Sequence, residues 1–215
     1  NDQEVMCFDL SAACSGFVYS LTVAHSLLQN MGDKYALVVG SEVISKIIDF
    51  TDRNTCVLFG DGAGAVVVCR GPGMFASYCN STGNLSALKA PAINQEDQNS
   101  YLTMAGQEVF KFAVKVIPES IKMILEKTGL EFDDIDYVVC HQANYRIIKN
   151  VYRKMKADPE KFYMNLQEYG NTSAASIPLA LGEMDAKGLL KAGDKIICVG
   201  FGGGLTWGAT LIEWS

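Results

Sequence analysis

Apolar positions along this chain fall into short runs that switch between two spacings, with glycine-bearing turns between them. Val5, Met6, Cys7, Phe8 and Leu10 form a compact apolar run that predicts a strand. Phe17, Leu21, Ala24 and Leu28 recur at helical spacing, so a helix is predicted from about Ser15 to about Asn30 with that face buried. Tyr35 to Gly40 is apolar without alternation, which predicts a strand buried on both faces. A polar loop from Ser41 to Asn54 and a glycine-rich approach at 59–64 lead to a strand at 65–69. Another strand is predicted at about 74–79, then a loop to about Ser100. From there the pattern predicts a helix at 105–127, kinked or split by Pro118. A strand at 136–140, a helix at 144–156, a short strand at 162–165 and a helix at 173–187 follow. Two final strands are predicted at 195–200 and 206–214. Alternation of this kind predicts an α/β protein built in layers.

The end of the chain echoes its beginning. Gly32-Asp33-Lys34 precedes a strand ending at Gly40, and Gly193-Asp194-Lys195 precedes a strand ending at Gly200. Gly62-Ala63-Gly64-Ala65-Val66-Val67-Val68 likewise resembles Trp207-Gly208-Ala209-Thr210-Leu211-Ile212. The echo predicts two related halves, with Cys14 and Asn171 at equivalent helix starts. It also predicts a first half short of a β-α-β-α segment upstream. The chain starts at Asn1, and the expectation is that the upstream segment exists as another chain. The predicted division is 1–72, the remainder of an N-terminal half carrying a nucleophile, and 73–215, a C-terminal half carrying His and Asn.

Composition narrows the classes. The 215 residues are 49% hydrophobic and 20% charged, enough apolar material for a sizeable core. A net charge of −6 argues against nucleic acid as the main partner. No apolar run approaches the length of a membrane-spanning helix. Seven scattered cysteines without a C-x-x-C pattern indicate a reducing, cytoplasmic setting and no zinc site.

Cys14 sits between the first strand pattern and the first helix, among Ser11, Ala12, Ala13, Ser15 and Gly16. Small neighbours admit a ligand carbonyl, and a helix N-terminus favours thiolate, the nucleophilic form. The plain alternative is a buried strand-end cysteine. His141 follows an apolar strand, where open α/β sheets place ligands. It could equally be a satisfied core histidine. Asn171, after Gly170, reads on its own as part of a helix N-cap. Phe201-Gly202-Gly203-Gly204 ends a buried strand and offers backbone N–H groups to an oxyanion. Arg146, Lys149 and Arg153 share one face of a basic helix on an acidic protein, a surface that suits an acidic partner or simply water.

Taken together, Cys14, His141-Gln142-Ala143-Asn144, Gly170-Asn171-Thr172-Ser173-Ala174-Ala175-Ser176 and Phe201-Gly202-Gly203-Gly204 resemble the beta-ketoacyl-[acyl-carrier-protein] synthase III family. Thr51-Asp52-Arg53, Phe59-Gly60-Asp61-Gly62-Ala63-Gly64 and Leu102-Thr103-Met104-Ala105-Gly106 are also similar to that family, so the likeness runs through essentially the whole chain. It implies a thiolase-like duplicated α-β-α-β-α sandwich with an incomplete N-terminal half. It further implies a decarboxylating condensation of an acyl-CoA primer, acetyl-CoA by default, with malonyl-acyl carrier protein (ACP). In that scheme Cys14 carries the acyl group and the N–H groups of Cys14 and Gly203 form the oxyanion hole. His141 and Asn171 stabilise the enolate, and Phe201 packs beside them. Arg53 stacks on the CoA adenine, while Gly106 and Asn144 line the pantetheine path. Arg146, Lys149 and Arg153 receive ACP. The resemblance implies a cytoplasmic homodimer with no resident cofactor, acyl-CoA being a substrate.

Competing readings share some of these residues. A type III polyketide or other CoA-condensing enzyme also uses Cys, His and Asn. A papain-like protease orders them the same way but has a signature that is absent here. A non-catalytic scaffold or an inactive proteolytic fragment of a synthase would need no chemistry at all.

Overall fold

The computed structural model describes residues 4–32, 34–91 and 101–215. Part of the loop predicted up to Ser100, and Asp33 of the first echoed turn, lie outside the described residues. The helix α1 (Gly16–Asn30) follows a 3-10 turn at Ala13–Ser15. The strands β1 (Tyr35–Glu42) and β2 (Gly62–Cys69) pair antiparallel. The strands β3 (Phe75–Ser81), β6 (Tyr137–Cys140), β7 (Lys195–Gly202) and β8 (Thr206–Glu213) form a four-stranded sheet in the order β3-β8-β7-β6, where only β6 and β7 are parallel. A small ribbon joins β4 (Leu88–Lys89) to β5 (Thr103–Met104). The helices α2 (Gly106–Thr128), α3 (Tyr145–Met155), α4 (Leu166–Tyr169) and α5 (Ser176–Ala186) complete the described elements.

The strand β7 explains the layering. Its side chains alternate between two cores, as a period of two requires. Ile196 and Cys198 join Phe17, Val18 and Leu21 of α1, Ile177, Ala180 and Leu181 of α5, and Val38 of β1. Ile197, Val199 and Phe201 join Ile117, Ile121 and Ile124 of α2 and Ile147, Ile148 and Val151 of α3. The central helices α1 and α5 therefore lie between the two sheets, and α2 with α3 cover the far face of the larger one. This is thiolase-type layering. Residues 70–74 connect the two sheets.

The echo is physical. In the first sheet Gly40 pairs with Gly64, and in the second Gly200 pairs with Gly208. A Cβ on Gly40 would come within 2.6 Å of the Ala174 carbonyl oxygen, and one on Gly200 within 2.9 Å of the Ser15 Cα. Each glycine thus lets a central helix start directly on a strand. The equivalence of helix starts needs correction by three residues. The strained residues Ala13 (φ 47°) and Ser173 (φ 50°) open the two 3-10 turns. Cys14 therefore matches Ala174, and Asn171 lies on the approach to the second turn.

Other expectations shift as well. Residues 5–10 form no strand, and Val5, Met6 and Phe8 are exposed, because among the described residues no strand pairs with them. The strand β1 is not buried on both faces: Tyr35, Leu37 and Val39 are exposed, since only the central helices cover its sheet among the described residues. The helix α2 runs through Pro118 without splitting. Burial of Val116, Ile117, Ile121 and Ile124 offsets the one lost backbone bond. The strand expected at 162–165 reduces to one bridge, Val138 with Phe162. The backbone N–H of Asn165 turns instead to the buried Gln142 side chain at 3.1 Å.

Candidate active site

The nucleophile candidate is held by a strained turn. Ala13 adopts a left-handed conformation that costs a non-glycine residue about 1–3 kcal/mol, and it aims Cys14 into the interior. The sulfur rests on the end of β7. A Cβ on Gly202 would lie 2.8 Å from Cys14 Sγ and 2.6 Å from its Cβ, so only glycine leaves room there. Thr206 ties the β7–β8 turn to this elbow. Its Oγ1 lies 2.9 Å from the carbonyl oxygens of both Ala12 and Gly203, and 3.1 Å from Ser15 Oγ.

Burial pushes the Cys14 thiol above its ordinary pKa, and the negative charge of Glu42 adds to this. The Ser173 hydroxyl and the backbone N–H groups of Gly203 and Cys14 act in the opposite direction, each donating toward the sulfur. Helix-start donors are thus present, as the sequence predicts, but desolvation outweighs them and the resting group is a thiol.

His141 is carried by the end of β6, where its backbone N–H continues the ladder to Val199 at 2.7 Å. Its Nδ1 lies 2.7 Å from Ser176 Oγ on α5, and its ring meets Phe201 edge-on with centroids 5.2 Å apart. Complete burial pushes its pKa down to about 3, so the imidazole is neutral at physiological pH. Folding stability is accordingly expected to fall on acidification. In the unfolded chain His141 binds a proton near 6.5, so below that value the unfolded state takes up a proton the folded state refuses. The contribution is intact above 6.5 and lost as pH falls toward 3, at up to about 1.4 kcal/mol per pH unit. Denaturant titrations on either side of the upper value check this, and His141→Gln should flatten the dependence.

Asn171 enters the site from the segment before α5. Its backbone pairs with Leu58 and Gly60 at 2.9 Å each, which anchors the Phe59 loop to the second half. Its Oδ1 accepts the Ser173 N–H at 2.9 Å, so the amide NH₂ is the end it can offer a ligand. Cys14, His141, Asn171, Phe201 and Gly202 line one cavity of about 600 Å³. Gly106, Asn144 and Arg146 line it too, with Gln107 and Lys111 of α2.

The remaining expected residues sit farther out. Gly203, beside Gly202, reaches the sulfur through its N–H. Asn144 is also the N-cap of α3, its Oδ1 accepting the Arg146 N–H at 2.8 Å. Arg53 is exposed in a turn shaped by Asp52, beside the cavity-lining Leu58 and Phe59 but outside the lining itself. Lys149 and Arg153 lie on the side of α3 away from its buried Ile147, Ile148 and Val151, and the Lys149 ammonium lies over the Tyr145 ring. Sequence reasoning passed over Glu42, Ser173, Ser176 and Thr206. The serines stood inside a quoted motif, whereas nothing local marks Glu42 or Thr206.

Residues 8–83 match the family described as 3-oxoacyl-[acyl-carrier-protein (ACP)] synthase III, and residues 125–214 match its C-terminal part. The beta-ketoacyl-[acyl-carrier-protein] synthase III of Clostridium beijerinckii is 52% identical over 97% of this chain and 68% of its own length. That of Clostridium acetobutylicum is 51% identical over the same shares. The crystal structure of 3-oxoacyl-[acyl-carrier-protein] synthase III from Aquifex aeolicus superposes with a TM-score of 0.89 at 45% identity, covering 96% of this chain and 67% of that one. A thiolase fold with these sequence matches defines a condensing acyltransferase, a class that builds carbon–carbon bonds through an acyl-cysteine. This chain belongs to the beta-ketoacyl-[acyl-carrier-protein] synthase III family, the condensing enzymes that initiate fatty acid synthesis.

Proposed function

We propose that Cys14, His141 and Asn171 carry out a two-stage condensation of an acyl-CoA primer with malonyl-ACP. The observation that carries the reading is that all three line one cavity while two backbone N–H groups converge on the Cys14 sulfur. In the first stage the sulfur attacks the thioester carbonyl of acyl-CoA. The N–H groups of Cys14 and Gly203 hold the oxyanion, where fixed donors contribute most. The carbon–sulfur bond to CoA breaks, and the CoA thiolate leaves with the proton that Cys14 gave up.

In the second stage malonyl-ACP loses CO₂, and the electron pair of the broken bond becomes an enolate. His141 and Asn171 donate hydrogen bonds to its oxygen. For His141 this assigns the proton to Nε2. The Ser176 hydroxyl donates to the Ser173 carbonyl oxygen at 2.8 Å in the resting site, and this tautomer has it turn to donate to Nδ1, 2.7 Å away. A neutral donor suits a dry site, where an imidazolium would carry a large desolvation cost. The enolate carbon then attacks the acyl carbonyl, Cys14 departs, and 3-ketoacyl-ACP forms. Phe201 supports the imidazole edge and keeps water from it.

Acetyl-CoA is the primer in this reading, with Gly106 and Asn144 along the pantetheine path and Arg53 at the adenine. No resident cofactor is needed. Arg146, Lys149 and Arg153 form a basic landing for the acidic carrier protein. The working form in this reading is a homodimer. Seven free cysteines suit a reducing cytoplasm, and among the described residues no helix is long and apolar enough to cross a membrane.

Intact-mass spectrometry after incubation with acetyl-CoA tests the first stage. An acetyl-sized gain that disappears in Cys14→Ala is expected. A gain that persists in that variant would place the nucleophile elsewhere.

A further inference from the structure

We propose that Glu42 is a positioning residue for Cys14: its carboxylate holds the turn that opens α5 and, through the Ser173 hydroxyl, governs how readily Cys14 releases its proton. The inference rests on Cys14 being the nucleophile. It begins with the internal duplication. Gly40 and Gly200 are equivalent, so two residues farther on Glu42 is equivalent to Gly202. Cys14 is equivalent to Ala174. In the second half Gly202 leaves the space that the Cys14 side chain fills. In the first half the arrangement is reversed: the small residue is Ala174, and the space beside it is taken by the Glu42 carboxylate. Glu42 Oε1 accepts the Ala174 N–H at 3.3 Å, which satisfies a donor at the second helix start. One helix start thus holds a thiol and its counterpart holds a carboxylate, with Ser173 between them.

Ser173 links the two. It adopts the left-handed conformation (φ 50°) that opens its turn, and its N–H is fixed by Asn171 Oδ1 at 2.9 Å. Its hydroxyl is within reach of both Cys14 and Glu42, and its one proton can stabilise the ionised form of either. Burial raises the pKa of the half-buried Glu42, while the Ala174 N–H and the Ser173 hydroxyl pull it back down.

The charges that face Cys14 are few. From the end of β6 comes His141, which is neutral. The starts of α1 and α5 and the Gly202–Gly203 end of β7 bring no ionisable side chain besides Cys14 itself. Lys111 of α2 and Arg146 of α3 line the same cavity, and Glu42 is the charge that acts on the thiol. An ionised Glu42 opposes a thiolate at Cys14. The resting enzyme therefore keeps a thiol, which resists oxidation because oxidation follows thiolate character. The proton is released when the departing CoA thiolate can take it up.

Glu42→Gln keeps a carbonyl acceptor for the Ala174 N–H and removes the charge. The readout is the pH dependence of Cys14 alkylation by iodoacetamide, followed at the Cys14 peptide by mass spectrometry. The expected midpoint in Glu42→Gln lies about one pH unit below wild type, giving about tenfold faster alkylation near neutrality. A Glu42→Gln midpoint equal to wild type overturns the inference. Ser173→Ala is the second arm, and removing its donor should move the midpoint upward. If Glu42→Gln does not fold, an unmoved midpoint in Ser173→Ala overturns the proposal. Acetyl transfer to Cys14, measured on the same samples, separates the two ideas. Loss of acetylation in wild type counts against the nucleophile assignment, whereas acetylation with unmoved midpoints counts against Glu42 alone.

Discussion

Gly202→Ala is expected to reduce acylation of Cys14 about 100-fold or more while leaving a folded protein. The added methyl carbon would lie 2.6 Å from Cys14 Cβ and 2.8 Å from its sulfur, closer than van der Waals contact permits. Neither partner yields easily. Gly202 is the last residue of β7, paired with Thr206 across the β7–β8 turn, and Cys14 is fixed by the strained Ala13 and by its place before α1. The collision must therefore rotate the sulfur or push the Gly203 N–H away from it. A misplacement of about 1 Å at a reacting centre costs on the order of 100-fold in rate, and overpacking adds about 1–3 kcal/mol of destabilisation. Time-resolved intact-mass measurement of acetyl transfer, with thermal unfolding as a control, checks both effects. Acylation at the wild-type rate would show that the sulfur works from some other position.

The second large effect separates the two stages. His141→Ala is expected to lower condensation with malonyl-ACP by about 100-fold to 10,000-fold, the usual range for loss of a positioned proton donor. Acetylation of Cys14 should persist, because the oxyanion donors of the first stage come from the backbone of Cys14 and Gly203. The variant should therefore accumulate acetyl-enzyme when given both substrates, visible as a stable mass gain. Equal loss of both stages would instead make His141 the base that activates Cys14. The neutral state of His141 favours separation, since an imidazole with a pKa near 3 is a poor proton acceptor.

Much of this site was legible in the sequence because its parts stand where elements begin and end. Cys14 precedes a strongly periodic helix, His141 follows a four-residue apolar strand, and Gly202 and Gly203 sit at a strand end. Apolar periodicity alone located α1, α3, β7 and β8 to within a few residues. The duplication could be read from paired Gly-Asp turns because close helix–strand contact admits only glycine at Gly40 and Gly200.

The rest depended on long-range placement. The helix-start rule predicts an activated thiolate at Cys14, yet the pKa rises, because the cost of burial comes from atoms scattered across both sheets and both central helices. Val5 to Leu10 reads as a strand by composition, but a strand exists only when a neighbour accepts its hydrogen bonds. Likewise the unalternated run in β1 describes what the residues tolerate, while exposure depends on what covers them. Glu42 and Thr206 carry no local signal. Their positions are set by the packing of one half against the other, from Thr206 at the Cys14 elbow to Glu42 at the start of α5. The linear sequence determined the kinds of element, their order and the residue types available for chemistry. Only the tertiary structure decided which of those residues share a cavity and what charge each carries there, because desolvation and charge–charge interaction depend on neighbours distant in the chain.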